Sequence, residues 1–180
     1  MSRSEELHSP IRKMLAMPVL ESERLVLRQF CQDDLADVIS WKGVSNEQRS
    51  QQAQEFLDFC FQSYRRWGMG PWGMLYKEDQ KMVGSCGFCR IDFKTNIGEV
   101  NYYVADRYRK QGLATEALQV VIRFGFQDIS LAEIRATCTM DNKSSERVMQ
   151  KAGMQFVRII SSKIAEDRTD SEKLYAITPL

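Results

Sequence analysis

Three stretches of this chain bring together residue types that can do chemistry. In the first, Arg107-Tyr-Arg-Lys-Gln-Gly-Leu-Ala-Thr-Glu116, three cations and a glycine stand ahead of an apolar run with helical spacing. Gly112 lets the backbone turn and approach a ligand closely, and a helix opening behind it presents unpaired N–H groups. That is an anion site, with Arg107, Arg109 and Lys110 as counter-charge for phosphate. An ordinary basic loop before a helix has the same composition. Lys-Ser/Thr does not follow the glycine and no three-glycine pattern is present, so neither a Walker A loop nor a dinucleotide fingerprint is read here.

In the second stretch, Glu99-Val-Asn-Tyr-Tyr-Val104, strand alternation sets Glu99, Asn101 and Tyr103 on one face and Val100, Tyr102 and Val104 on the other. A carboxylate beside an aromatic ring at the end of a sheet serves as a general base when desolvation raises its pKa; otherwise this is a solvated strand face. The third, Asp141-Asn-Lys-Ser-Ser-Glu-Arg-Val-Met149, passes from strand to helix. There Asn142 either caps the helix or offers its amide to an amide-bearing ligand. The pair Cys86-Gly-Phe-Cys89 imitates a redox or zinc motif, but residues three apart on a strand point to opposite faces. Both thiols are read as buried and structural, with no metal. The single histidine, His8, lies far from any candidate nucleophile, which argues against a Ser-His-Asp or Cys-His hydrolase.

The elements that must position these residues follow from periodicity. Residues 1–18, with Pro10 and Pro18, read as a tail, and residues 19–180 as one folded domain. Arg24–Phe30 alternates as a strand, Asp33 opens a short helix to Trp41, and Asn46–Trp67 is a longer amphipathic helix closed by Gly68, Gly70 and Pro71. Tyr64, Trp67 and Trp72 are assigned to core, or else to an acceptor groove. Trp72–Lys77, Lys81–Ile91 and Ile97–Ala105 follow as three antiparallel strands. Gly112–Asp128 is a helix, Ala132–Met140 a strand, Ser144–Lys151 a helix, and Gln155–Ser162 and Lys173–Thr178 the last strands. The expected fold is α/β: a mixed, largely antiparallel sheet of about seven strands flanked by about four helices.

Composition excludes whole classes. The chain has 180 residues, 43% hydrophobic and 27% charged, enough for a core without disulfides or metals. With 25 Lys and Arg against 24 Asp and Glu, the formal charge of +1 gives no field to hold nucleic acid. No apolar run approaches the roughly 20 residues of a membrane span, and the acidic N-terminus does not read as a secretory signal. Five scattered cysteines, read as buried and reduced, agree with a cytoplasmic location.

Taken in order, these stretches resemble the GNAT superfamily of acyl-CoA-dependent N-acetyltransferases, and within it the RimJ/RimL-like branch that acts on ribosomal proteins. The likeness rests on Leu20-Glu-Ser-Glu-Arg-Leu-Val-Leu-Arg28, on Gly84 with Gly87, on Arg109-Lys-Gln-Gly-Leu-Ala114, and on Asn142 to Met154. The resemblance implies acetyl-CoA as co-substrate and no metal. The backbone of Tyr103, Val104 and Ala105 would pair with pantetheine or stabilise an oxyanion. Arg109 and the amides of Lys110, Gln111, Gly112, Leu113, Ala114 and Thr115 would hold the pyrophosphate, and Asn142 would contact pantetheine or the acetyl region. Glu99 would take a proton from the acceptor ammonium, through water. Many relatives carry a tyrosine seven residues beyond the asparagine to protonate the departing thiolate; here Met149 stands there, and Ser145 is the positional substitute. The implied acceptor is a primary amine, a protein N-terminus or a small molecule. The rival readings are an idle acyl-CoA-binding regulator and a nucleic-acid binder. A homodimer is expected if an apolar strand edge is left bare.

Overall fold

Burial alternates along β2 (Leu25–Arg28), with Leu25 and Leu27 wholly enclosed, as a strand with one face on a core requires. The computed structural model describes residues 17–41, 47–165 and 168–179, with backbone alone for 162–165 and 168–170. The expected tail, apart from Met17 and Pro18, and the expected helix start at Asn46 lie outside the described residues. Around β2 come β1 (Leu20–Glu21), a 3-10 turn at Gln32–Asp34, α1 (Leu35–Ser40), α2 (Glu47–Trp67) and β3 (Trp72–Tyr76). Next are β4 (Lys81–Asp92), β5 (Ile97–Val104), a 3-10 turn at Asp106–Tyr108 and α3 (Leu113–Gln127). The chain ends with β6 (Glu133–Thr139), α4 (Lys143–Lys151), β7 (Gln155–Ala165) and β8 (Arg168–Ile177).

The strands form one mixed sheet in the order β1-β2-β3-β4-β5-β6-β8-β7, with β5 and β6 parallel. Among the described residues the fold is the expected α/β arrangement, with four α-helices and a sheet of eight strands. The extra one, β1, is two residues long, too short for alternation to reveal. β7 and β8 also run toward each other further than expected, because their polar middle segments pair across a hairpin without an apolar pattern.

The residues divide into two compact units: the chain up to Ser85 with Val104–Arg109, and Cys86–Tyr103 with the chain from Lys110 onward. In the first, Leu57 and Cys60 of α2 are buried, as are Trp72 and Met74 of β3. Phe56 meets Phe30 and Trp41 edge to face, and Phe30 and Trp41 are tilted against each other, with centroids 5.4 to 6.1 Å apart. Buried polar ends find partners: Trp72 Nε1 donates to the Pro18 carbonyl at 2.8 Å, and Tyr64 Oη to the Pro71 carbonyl at 2.6 Å. Trp67 departs from its core assignment, being 63% exposed under the Arg66 guanidinium. Asp34 takes both Arg28 guanidinium nitrogens, at 2.7 and 2.9 Å, and the Cys31 N–H at 2.8 Å. Burial pushes its carboxyl up, but these donors hold it below the usual range.

In the second unit α3 buries Leu113, Ala117, Leu118 and Val121. Gly125 on this helix has a packing cause. A Cβ there would stand 2.7 Å from Ile134 Cδ1 and 2.8 Å from Phe88 Cζ, and the Phe88 ring is pressed equally closely toward Gly98. With neither side able to yield, the helix accepts a glycine despite its unfavourable helix propensity.

α4 is tied to β8 by Glu146. Its carboxylate accepts from Tyr175 Oη at 2.7 Å, Lys173 Nζ at 2.9 Å and Lys143 Nζ at 3.2 Å, and these donors pull its pKa to about 2.

Two outcomes follow. Gly125→Val overpacks Phe88 and Ile134 and lowers stability by about 1–3 kcal/mol, read as a lower urea midpoint. Glu146 has a depressed folded pKa, so its contribution is full above the ordinary carboxylate value near 4.5 and is lost as pH falls toward 2. Thermal melts of wild type and Glu146→Gln should differ at neutral pH and converge across that window.

Candidate functional site

The parallel ladder between β5 and β6 holds three residue pairs, Ile97↔Glu133, Gly98↔Ile134 and Glu99↔Arg135. It ends there, although β5 runs on to Val104 and β6 to Thr139. The two strands part beyond Glu99, and each leaves backbone N–H and C=O groups that the other does not pair. An extended molecule carrying amides of its own can complete such a gap as a strand would. Sequence alternation could not show this, because both segments still read as strands.

Glu99 stands at the last pair before the parting. Its side chain is 46% exposed, with a carboxylate oxygen 3.9 Å from Arg90 Nη1. Of the two readings open in the sequence, the structure has the solvated strand face and not a desolvated, ring-lined carboxylate: the neighbour is a cation and the surroundings are open. Asn101 is exposed and Tyr103 half-buried, in keeping with a polar strand face. A groove of about 900 Å³ is lined by Arg135, Arg158, Leu174 and Ala176, so the residue in register with Glu99 forms part of its wall.

The loop before α3 turns as an anion cradle must. Lys110 has φ +63° and Gly112 φ +84°, both left-handed, and the first helical bond runs from Glu116 N–H to the Gly112 carbonyl. No side chain caps this helix, so the N–H groups of its first turn are not satisfied by a capping residue. Successive amides in such alternating conformations make a concave anion site. Lys110 and Gln111 are exposed, whereas the Leu113 side chain is core at 1% exposure, leaving only its backbone for a ligand. Ala114 and Thr115 are intermediate.

Val104, Ala105 and Arg109 belong to the first unit and have partners of their own. The Val104 carbonyl accepts from Arg109 Nε at 3.1 Å, and the Ala105 N–H donates to the Val83 carbonyl at 2.8 Å. Arg109 also meets Asp106 at 2.8 Å, which fixes the guanidinium within its own loop.

Asn142 is the N-cap of α4, its Oδ1 accepting from Ser145 N–H at 3.0 Å. The capping role is thus real, and it uses only the oxygen of the amide. Ser145, in the same turn, meets Tyr102, which alternation sets on the face opposite Glu99. Tyr102 Oη lies 2.6 Å from Ser145 Oγ and 3.0 Å from the Ser145 carbonyl oxygen. Burial pushes the Tyr102 phenol up to about 12. The one available hint was its place opposite Glu99 on the same strand. Met149 is fully buried, a core side chain where many relatives are expected to carry a hydroxyl.

The cysteines correct one expectation. Cys60, Cys86 and Cys138 are buried, but Cys31 and Cys89 are exposed. Cys89 Sγ reaches the Glu99 carbonyl oxygen at 3.3 Å, and burial of the thiol itself pushes its pKa up, so it is not activated as a nucleophile. Among the described residues no group of three or more His, Cys, Asp or Glu is placed to hold a metal ion. None of the described helices is long and apolar enough to cross a membrane.

Comparison with known proteins gives this geometry a family. Residues 24–155 match the acetyltransferase (GNAT) domain. The chain is 26% identical over 147 residues to the uncharacterized N-acetyltransferase YoaA of Bacillus subtilis, covering 77% of this chain and 83% of that one. It is 28% identical over 104 residues to a ribosomal-protein-serine acetyltransferase of Escherichia coli, covering 57% and 58%. Among solved structures, the fold is similar to RimL, a ribosomal alpha-N-protein acetyltransferase in complex with coenzyme A. That match has a TM-score of 0.70 and 14% identity, over 89% of this chain and 98% of that one. The glycine-led helix start, the parted parallel strands and the match over residues 24–155 agree, and the chain belongs to the GNAT acetyltransferase family.

Proposed function

We propose that the protein transfers the acetyl group of acetyl-CoA to a primary amine, with a protein or peptide N-terminus as the acceptor class. The observation that carries this reading is the end of the β5–β6 ladder at Glu99↔Arg135. The unpaired stretches beyond it suit the amides of a pantetheine arm, and the uncapped start of α3 suits its pyrophosphate. When bound, acetyl-CoA supplies a thioester carbonyl as electrophile and a thiolate as leaving group.

The chain's own residues divide the remaining work. The amides from Lys110 to Thr115 hold phosphate, and the Lys110 ammonium adds charge to the same loop. Asn142 keeps α4 in register through its cap and offers its amide nitrogen to the ligand. Glu99 takes a proton from the acceptor ammonium, through water. Its exposure leaves room for that water, and its position at the fork sets the freed amine against the reacting carbon. Holding the reactants in this geometry accounts for more of the rate than any single acid or base. The groove walled by Arg135 and Arg158 shares Arg135 with the register pair of Glu99, and its volume of about 900 Å³ offers room for an extended acceptor. The E. coli relative acts on a ribosomal protein and the RimL neighbour on a protein α-amine, which supports an N-terminus as acceptor.

Isothermal titration with acetyl-CoA tests the donor. Saturable binding is expected, and Gly112→Val should weaken it at least tenfold, because a β-branched side chain resists the φ of +84°. No heat with acetyl-CoA would sink the reading. Glu99→Gln should leave that binding intact and lower kcat by roughly 100-fold, at the low end of general-base contributions. A panel of short peptides with free N-termini, run beside small amines, separates the acceptor classes by kcat/KM.

A further inference from the structure

Tyr102 and Ser145 form a hydroxyl pair whose hydrogens can be arranged in only two ways. The phenol has one proton and two acceptors within reach, Ser145 Oγ at 2.6 Å and the Ser145 carbonyl oxygen at 3.0 Å. If Tyr102 donates to the carbonyl, the short contact requires Ser145 to donate to Tyr102, and the serine proton is turned inward. If Tyr102 donates to Ser145 Oγ, the serine proton is released to point elsewhere. A negative charge arriving outside Ser145 favours the second arrangement. We infer that Tyr102 is a positioning residue for the acetyl transfer, turning the Ser145 hydroxyl outward as a hydrogen-bond donor to the sulfur of coenzyme A. This rests on the acetyltransferase reading proposed above.

The surroundings of the pair say what it does and what it does not do. Tyr102 is faced by Cys86 from β4 and Cys138 from β6, both with thiols pushed up by burial. Neither adds a charge near the pair at neutral pH. The nearest carboxylate on α4, Glu146, is taken by Tyr175, Lys173 and Lys143. With its own pKa near 12, Tyr102 keeps its proton against a thiolate whose parent thiol ionises near 8.5. Tyr102 is therefore no source of the proton. Once the ammonium proton has passed through Glu99 and its water to solvent, the carbon–nitrogen bond forms and the carbon–sulfur bond breaks; the electron pair stays on sulfur, the second proton on nitrogen leaves by the same water to solvent, and Ser145 stabilises the sulfur charge without ionising. Met149 needs no hydroxyl in such a scheme.

The test uses coenzyme A itself and needs no acceptor. The thiolate of bound coenzyme A is followed by its ultraviolet absorbance from pH 6 to 9.5, with desulfo-coenzyme A as the blank for protein thiols and phenols. Wild type should lower the bound thiol's pKa by about one unit from 8.5, as a hydrogen bond to a charged group does. Tyr102→Phe and Ser145→Ala should each restore it, and the double variant should go no further, because Tyr102 acts only through Ser145. With an acceptor in hand, Tyr102→Phe should lower kcat about tenfold and leave the KM for acetyl-CoA unchanged.

A bound-thiol pKa that is identical in wild type and Tyr102→Phe overturns the inference, as do effects that add in the double variant. A folding defect shows itself separately, as lost affinity for desulfo-coenzyme A, and Ser145→Ala then carries the test. If neither coenzyme A nor acetyl-CoA binds wild type, the acetyltransferase reading falls and takes this with it. If both bind with an ordinary thiol pKa, only the role of Tyr102 and Ser145 falls.

Discussion

A backbone amide that loses its strand partner must find another, and among the described residues that constraint acts between β5 and β6. β5 and β6 begin as a parallel pair and stop pairing after Glu99 and Arg135. On its other edge β6 stays bound to β8 through six residue pairs, from Ile134↔Ile177 to Thr139↔Glu172. α3 and α4 both lie on the face that carries Ile134 and Tyr102: Gly125 of α3 sits against Ile134, and Ser145 of α4 meets Tyr102. Past the last β5–β6 pair, Tyr102 of β5 meets Ser145 of α4 through their hydroxyls. Open backbone of this kind costs stability when dry and is recovered when a ligand supplies amides.

Much of this was legible in the sequence, for reasons that can be traced to particular residues. The helix at Leu113–Gln127 was visible from Leu113, Ala117, Leu118, Val121 and Phe124, all of which are buried. Gly112 was readable as a turn because few other residues accept its left-handed φ. The strand faces around Glu99 came out as alternation predicts. In each case a local rule and the tertiary structure ask for the same thing.

What was not legible depends on who stands next to whom across the sheet. The parting of β5 from β6 leaves no mark in either strand's own pattern. Alternation sets Tyr102 on the face opposite Glu99, and only the position of α4 shows that its hydroxyl has Ser145 to meet. Alternation left Glu99 either desolvated or on a solvated face, and only its neighbours, Arg90 and an open surface, decide for the second. Trp67 carries the helical spacing of a core residue but falls in the last turn of α2, where the stripe has already rotated out to solvent. The two-residue β1 and the extensions of β7 and β8 toward each other were missed because backbone pairing without apolar alternation has no sequence signature.

The lattice of donors around Glu146 has one more consequence. A protein that handles an activated acyl group near its own lysines risks modifying itself. Lys173 is 12% exposed, and its bond to Glu146 raises its pKa above the ordinary lysine value. An ammonium held in that way has no lone pair to offer and little surface to be reached by. The same ion pair that fastens α4 to β8 therefore keeps an internal amine inert, so that the chain is shielded at this position from the chemistry of its own family.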